Sequence, residues 1–222
     1  MISSLAVAVW ATLATAEPIP LPQPDLASGP SLNAVLTQRR SVREYANQPL
    51  TLAELGALLW AGQGITSPEG FRTAPSAGGL YPLTLYVAAR SVDGLACAVY
   101  RYEPHTHSLA LVREPLVVLE LWAAALQQEP IRQAPVVIVV AGAVEKTAAK
   151  YGERAPLYMQ IEAGHAAQNV LLEAAASGLA AVPVGAFYES QAKHALWIRE
   201  EPLLLIPVGR RCESSTRDRV LE

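Results

Sequence analysis

The run Val136-Val137-Ile138-Val139-Val140-Ala141 is the strongest single constraint on how this chain can fold. Six consecutive apolar residues without alternation read as a strand buried on both faces, so a sheet must pass through the interior of the domain. Around that strand the signals are uneven. Leu83 to Ala89 alternates like a strand. Ala98 to Tyr102 and Leu109 to Val112 flank Glu103-Pro104-His105-Thr106-His107, which predicts a hairpin whose two turn histidines are solvated. Val182-Pro183-Val184 and Leu203 to Pro207 read as further strands.

Helix signals fall between these strands. Ser31 can cap a helix through Leu32, Val35 and Leu36, and Thr51-Leu52-Ala53-Glu54 is a capping box. The box opens a helix with Leu55, Leu58 and Leu59 on its apolar face, closed by Gly62 and Gly64. Leu116 to Gln127 and Ala192 to Ile198 are helical. Leu157 to Ser177 is the longest helix and ends at Gly178. A hairpin and unevenly spaced helices favour an α+β fold, with a mixed or antiparallel sheet, over a regular βαβ repeat.

Composition bounds the rest. With 51% hydrophobic and 17% charged residues and a net charge of -3, the 222-residue chain is neither disordered nor built to bind nucleic acid. Residues 1–16 form an apolar leader, too short to span a bilayer as an ordinary helix, so no transmembrane segment is expected in the mature chain. Ala14-Thr15-Ala16 has the small-x-small pattern of an export signal, which would place the protein outside the cytoplasm. The absence of Lys or Arg before Arg39 points instead to a misassigned start or an apolar arm, and to a cytoplasmic protein. Residues 17–30 hold five prolines and read as an extended arm, residues 31–212 as the folded domain, and residues 213–222 as a polar tail. Cys97 and Cys212 have no metal spacing and read as buried thiols.

Several segments could carry chemistry. Arg39, Arg40 and Arg43 stand within five residues beside Ser41, a donor set that suits a phosphate but also complements the end of a helix. Ser76-Ala77-Gly78-Gly79 lets backbone approach a flat ligand closely, or makes a tight turn into the next strand. Pro183-Val184-Gly185-Ala186 poses the same choice. Lys150-Tyr151 could transfer protons, or be an exposed lysine beside a half-buried phenol. Glu162 and His165 have E-x-x-H spacing, but the second copy that a carboxylate-bridged metal site needs is missing, so no metal is expected. There is no dinucleotide fingerprint, nucleophile elbow, H-E-x-x-H or Walker sequence.

Taken in order, Arg39-Arg40-Ser41-Val42-Arg43-Glu44-Tyr45, Pro49-Leu50-Thr51, Leu59-Trp60-Ala61, Arg72 to Pro82, Glu162 to Asn169 and Pro183 to Phe187 resemble the nitroreductase family. More narrowly they resemble its SagB/ThcOx-type dehydrogenase branch, over about Leu21 to Arg210. The resemblance implies an α+β homodimer with FMN at the subunit interface. It implies that Arg39, Arg40, Ser41 and Arg43 hold the phosphate and ribityl groups, with Arg210 or Arg211 closing on the phosphate. Ser76, Ala77, Gly78 and Gly79 would lie along the flavin ring, Gly79 standing where many relatives have Asn, and Gly185 and Ala186 after Pro183 would face its N5 side. A Lys-Tyr pair is tied to catalysis in azoline-oxidising relatives, and Lys150-Tyr151 matches its place. The implied reaction is hydride transfer through flavin N5. It would aromatise an azoline in a modified peptide, or reduce a small nitro or quinone acceptor with NAD(P)H as a transient donor; a flavin-binding protein without turnover is the non-enzyme alternative.

Overall fold

The structure is a computed structural model that describes residues 17–116 and 118–212. The leader at 1–16 and the tail at 213–222 lie outside the described residues. In chain order the elements are β1 (Ile19–Pro20), α1 (Leu32–Gln38), β2 (Tyr45–Ala46), α2 (Leu52–Gln63), β3 (Leu83–Ala89), β4 (Ala98–Glu103), β5 (Ser108–Arg113), α3 (Val118–Ala124) and α4 (Glu129–Gln133). There follow β6 (Val136–Gly142), α5 (Glu145–Tyr151), α6 (Ala155–Ala176), β7 (Leu179–Ala181), α7 (Glu189–Leu196) and β8 (Glu201–Arg211), with 3-10 turns at Ala77–Gly79 and Gly152–Arg154.

The sheet has the order β1-β5-β4-β3-β6-β8-β2, with β7 also paired to β8, and every pairing between these strands is antiparallel. Strand β6 lies inside it, between β3 and β8. Its even residues Val136, Ile138 and Val140 enter one apolar cluster with α2 and α6; its odd residues Val137, Val139 and Ala141 enter another with α3, α4 and α7. Period-2 geometry thus converts an unbroken apolar run into two packed faces, and the architecture is helix, sheet, helix. The α+β reading holds.

Side-chain caps explain where α1 and α2 start, Ser31 accepting from the Ala34 N–H on α1 and a capping box opening α2. Thr51 Oγ1 accepts from the Glu54 N–H while the Glu54 carboxylate accepts from the Thr51 N–H and hydroxyl. Helix α2 runs past Gly62 to a cap at Gly64. A Cβ on Gly62 would stand 2.9 Å from Leu85 of β3 and 3.0 Å from Val170 of α6, so only glycine lets α2 lie so close to both.

Several local expectations are corrected. Strand β3 does not alternate in burial, because it too has helices on both faces. The strand expected at residues 182–184 is instead Leu179–Ala181, three residues earlier, and Val184 makes only an isolated bridge to Leu205. Helix α3 ends at Ala124, where Leu126 and Gln127 turn through positive φ. In α1 only Val35 is buried, while Leu32 is 63% and Leu36 50% exposed. Cys97 is exposed and Cys212 half-buried, so neither is the buried thiol expected.

His107 is the largest departure. Far from solvated, it is 6% exposed, with Nδ1 2.9 Å from the Tyr102 hydroxyl and Nε2 2.9 Å from the Pro22 carbonyl oxygen. A carbonyl can only accept, so Nε2 carries a proton and donates to Pro22, while Nδ1 shares a hydrogen bond with the Tyr102 hydroxyl. The Leu21 N–H donates to the His107 carbonyl, and Ile19–Pro20 pairs with Ser108 and Leu109. The proline-rich arm is thereby bound to the hairpin instead of hanging free. Among the described residues no helix is long and apolar enough to cross a membrane.

Candidate active site

The segment Thr73 to Tyr81 is short, rich in small residues and fastened at both ends. Thr73 Oγ1 donates to the Trp60 carbonyl and the Tyr81 N–H donates to Ser76 Oγ. The Arg72 guanidinium lies 4.6 Å from the centre of the Tyr81 ring and donates to the buried Gln63 amide oxygen at 2.7 Å. Burial holds Arg72 below the ordinary guanidinium pKa, and no carboxylate pairs with it among the described residues.

Within this segment Gly78 has φ 62° and ψ 15°, a left-handed conformation that glycine adopts without strain. A Cβ there would lie 2.6 Å from Lys150 Nζ and 2.8 Å from Tyr151 Oη. The two polar heads therefore stand no more than about 5.4 Å apart, over the glycine, although 72 residues separate them from it in sequence. Both come from the last turn of α5, which ends at Gly152. Lys150 is exposed and Tyr151 half-buried. The neighbouring Gly79, at φ 66°, has open space on the side where a Cβ would be.

Helix α6 supports the same place from below. The Glu162 carboxylate, 4% exposed, accepts the Ala77 N–H at 2.7 Å, and Asn169 Nδ2 donates to the Thr73 carbonyl at 3.2 Å. The Tyr158 ring meets Tyr151 edge-on at 4.9 Å, and Arg154 Nε donates to the Tyr158 hydroxyl at 2.9 Å. The E-x-x-H pair is thus split: Glu162 is buried against a backbone amide and His165 is exposed. Among the described residues no three His, Cys, Asp or Glu side chains gather into a metal-sized group.

The arginine cluster follows α1. Ser41 bridges Ala181 in parallel, and the Val42 N–H donates to the Ala181 carbonyl at 3.0 Å, which sets the cluster beside β7 and the end of β8. No carboxylate pairs with Arg39, Arg40 or Arg43 among the described residues. Arg40 donates to the carbonyls of Thr37 and Arg39, which is a helix-end role. It also lines, with Thr37, Gln38, Ala175, Gly178 and Arg211, a cleft of about 390 Å³.

Arg210 and Arg211 diverge. Arg210 makes a two-pronged ion pair with Glu54 at 2.8 and 2.9 Å and so ties the end of β8 to the start of α2. Burial opposes ionisation of Glu54, but the bonds from Thr51 and Arg210 outweigh it and hold the carboxyl below its usual range. Arg211 reaches the cleft, its Nε 3.4 Å from the Leu179 carbonyl. After the buried Val184, Gly185 and Ala186 are exposed, and their N–H groups meet no protein acceptor among the described residues. Pro183 is exposed just before them. The sequence named Arg72 and Glu162 without giving either its task, and Tyr158 was missed; a glutamate inside an alanine-rich helix was the one available signal.

The comparisons agree with this architecture. The family model described as the nitroreductase family matches residues 36–210. A protein of Methanocaldococcus jannaschii, provisionally named a nitroreductase, is 48% identical over 182 residues, covering 82% of this chain and 92% of its own. A crystal structure from Ralstonia eutropha JMP134, also provisionally named a nitroreductase, superposes with a TM-score of 0.75 at 30% identity over 88% of this chain and 90% of that one. A chain of the E. coli microcin synthetase complex with truncated pro-peptide bound shares the fold at a TM-score of 0.71 and 20% identity, over 96% of this chain and 85% of that one. With the family model spanning most of the described domain and a relative nearly half identical, the chain belongs to the nitroreductase family of oxidoreductases.

Proposed function

We propose that this protein is an FMN-dependent dehydrogenase of the SagB/ThcOx type, in which Lys150 and Tyr151 move the proton. The observation that carries the reading is the meeting of Lys150 Nζ and Tyr151 Oη over Gly78. Two proton-carrying groups converge where the chain leaves no side chain and the adjoining glycine faces open space.

The residues present suit the cofactor. Arg40 and Arg211 line one cleft, and Arg39, Ser41 and Arg43, adjoining Arg40 in the chain, would add donors for a phosphate and its ribityl chain; none of these arginines has a carboxylate partner among the described residues. Gly78 and Gly79 offer backbone to a flat ring, and the N–H groups of Gly185 and Ala186 stand without acceptors. Arg210, paired with Glu54, serves the scaffold. When bound, FMN supplies a two-electron partner that exchanges hydride with the substrate. An azoline becomes aromatic by losing one hydride and one proton from neighbouring atoms, and Lys150 and Tyr151 take that proton.

A second copy completes the reading. Leu32 and Leu36 of α1 and Leu157 and Ile161 of α6 are exposed, and Pro30, Leu32, Val35, Trp60 and Leu172 line an apolar groove of about 330 Å³ between α1, α2 and α6. Covering this face in a homodimer removes that apolar surface from water.

The names of the Methanocaldococcus and Ralstonia relatives, both provisional nitroreductases, favour a second reading, reduction of a small nitro acceptor; in that reading NAD(P)H would be the donor and a quinone a further acceptor. One variant separates the two. Lys150→Ala should slow azoline oxidation by about a hundredfold or more, the usual worth of a general acid or base. Reduction of a quinone by NAD(P)H should change far less. Unchanged azoline oxidation in Lys150→Ala defeats the dehydrogenase role of Lys150, and a colourless protein that refuses added FMN defeats both readings.

A further inference from the structure

Three polar side chains of α6 act on the two halves of the site, and their spacing is that of one helix face. Tyr158, Glu162 and Asn169 are separated by four and seven residues, close to one and two turns of an α-helix. At the N-terminal end Tyr158 braces the ring of Tyr151 and is itself held by Arg154. In the middle Glu162 accepts the Ala77 N–H, one residue before the glycine beneath the Lys-Tyr pair. Farther along Asn169 holds the Thr73 carbonyl.

Glu162 is the costly member. A carboxylate that is 4% exposed, with no cation paired to it among the described residues, loses most of its hydration for one hydrogen bond from a backbone amide. Packing alone would favour an apolar side chain, as at its buried neighbours Met159, Ala163 and Ala166. The bond instead fixes the start of the turn in which Gly78 takes a positive φ, and that turn decides how near the backbone comes to Lys150 Nζ and Tyr151 Oη.

We propose that Tyr158, Glu162 and Asn169 are positioning residues that hold the Thr73–Gly79 segment and the Lys150–Tyr151 pair in register, with the Glu162 carboxylate as the central anchor. The proposal rests on reading Lys150 and Tyr151 as the reacting groups, but its first test needs neither flavin nor turnover. Hydrogen–deuterium exchange of the peptide covering residues 73–82 is measured on purified wild type, Glu162→Ala and Glu162→Gln. The amide oxygen of glutamine can still accept from Ala77, whereas alanine cannot. Exchange should quicken by roughly tenfold or more in Glu162→Ala and stay within about threefold of wild type in Glu162→Gln. Equal exchange in a folded Glu162→Ala and wild type overturns the proposal, as does a Glu162→Gln variant as fast as Glu162→Ala.

If Glu162→Ala does not fold, Asn169→Ala tests the same segment from its Thr73 end, with faster exchange at 73–82 expected and unchanged exchange counting against the ladder. A second readout links the ladder to chemistry. The maximal rate of azoline oxidation should fall in Glu162→Ala and return in Glu162→Gln, with KM little changed. Altered exchange without any turnover in wild type would leave the anchoring in place and defeat only the functional reading.

Discussion

Replacing Gly78 by alanine separates two effects that usually arrive together. At φ 62° the new residue occupies the left-handed region, which costs an L-residue about 1–2 kcal/mol, offset by about 0.4–1 kcal/mol from a stiffer unfolded chain. The net, about 1 kcal/mol, lowers Tm by about 2–4 °C in a domain of this size. Gly79→Ala pays the same backbone cost at φ 66° and meets nothing within 4 Å. Only Gly78→Ala also places a methyl 2.6 Å from Lys150 Nζ and 2.8 Å from Tyr151 Oη. The lysine is exposed and its ammonium ends a flexible stem, so its part of the collision is relieved by moving Lys150, while the half-buried Tyr151 ring gives by a few tenths of an ångström outside the core. The two variants should therefore show similar Tm losses by circular dichroism. Labelling of the Lys150 amine with an activated ester, read by peptide mass mapping, should change several-fold in Gly78→Ala alone. Identical Lys150 reactivity in wild type and both variants would refute the convergence of the pair over Gly78.

Further expectations concern the scaffold. The Glu54 carboxyl is held below its usual range by Thr51 and Arg210, so its contribution is complete above the unfolded carboxylate pKa of about 4.3 and is lost as pH falls through the lower folded value. Glu54→Gln should thus be less stable than wild type at neutral pH, by about 1–3 kcal/mol in denaturant unfolding, and the gap should close in acid; a gap independent of pH contradicts the ion pair. His107→Ala removes the buried bond to Tyr102 and the part-buried bond to the Pro22 carbonyl, and leaves the buried Tyr102 hydroxyl without a partner, costing about 2–4 kcal/mol, with earlier proteolytic cleavage in the 17–30 arm as the sign that the arm has been released. If the proposed homodimer forms through this face, Ile161→Asp on α6 should shift sedimentation toward the monomer; a wild type that sediments as a monomer refutes the proposed dimer.

What could be read in advance follows how local the cause is. The 136–141 run, the long helix and the Thr51–Glu54 box each carry their reason within a few residues, so strand β6, helix α6 and the cap of α2 were legible. Leu179-Ala180-Ala181 was not, because two of its three residues have little strand preference and the strand exists by pairing with β8. Val182-Pro183-Val184 has the better composition, but Pro183 cannot donate to a ladder. His107 looked solvated because its partners, Tyr102 and the arm, are invisible in a turn-length window. The site divides in the same way. Its arginines and glycines were visible as types, while the meeting of Gly78 with Lys150 and the bond from Ala77 to Glu162 span 72 and 85 residues and exist only once the chain is folded.

The bound arm also has a practical meaning for anyone shortening this protein. Ile19 and Pro20 cover the outer side of β5, and the three-residue β7 covers the side of β8 opposite β6, so both margins of the sheet finish in very short strands. A long bare margin would offer its unpaired amides and carbonyls to the margin of another molecule, and a proline on the rim removes one donor from that invitation. Trimming through Leu21 would strip this guard from Ser108 and Leu109. The harm would surface as clumping during expression and storage, in a molecule whose active centre had been left untouched.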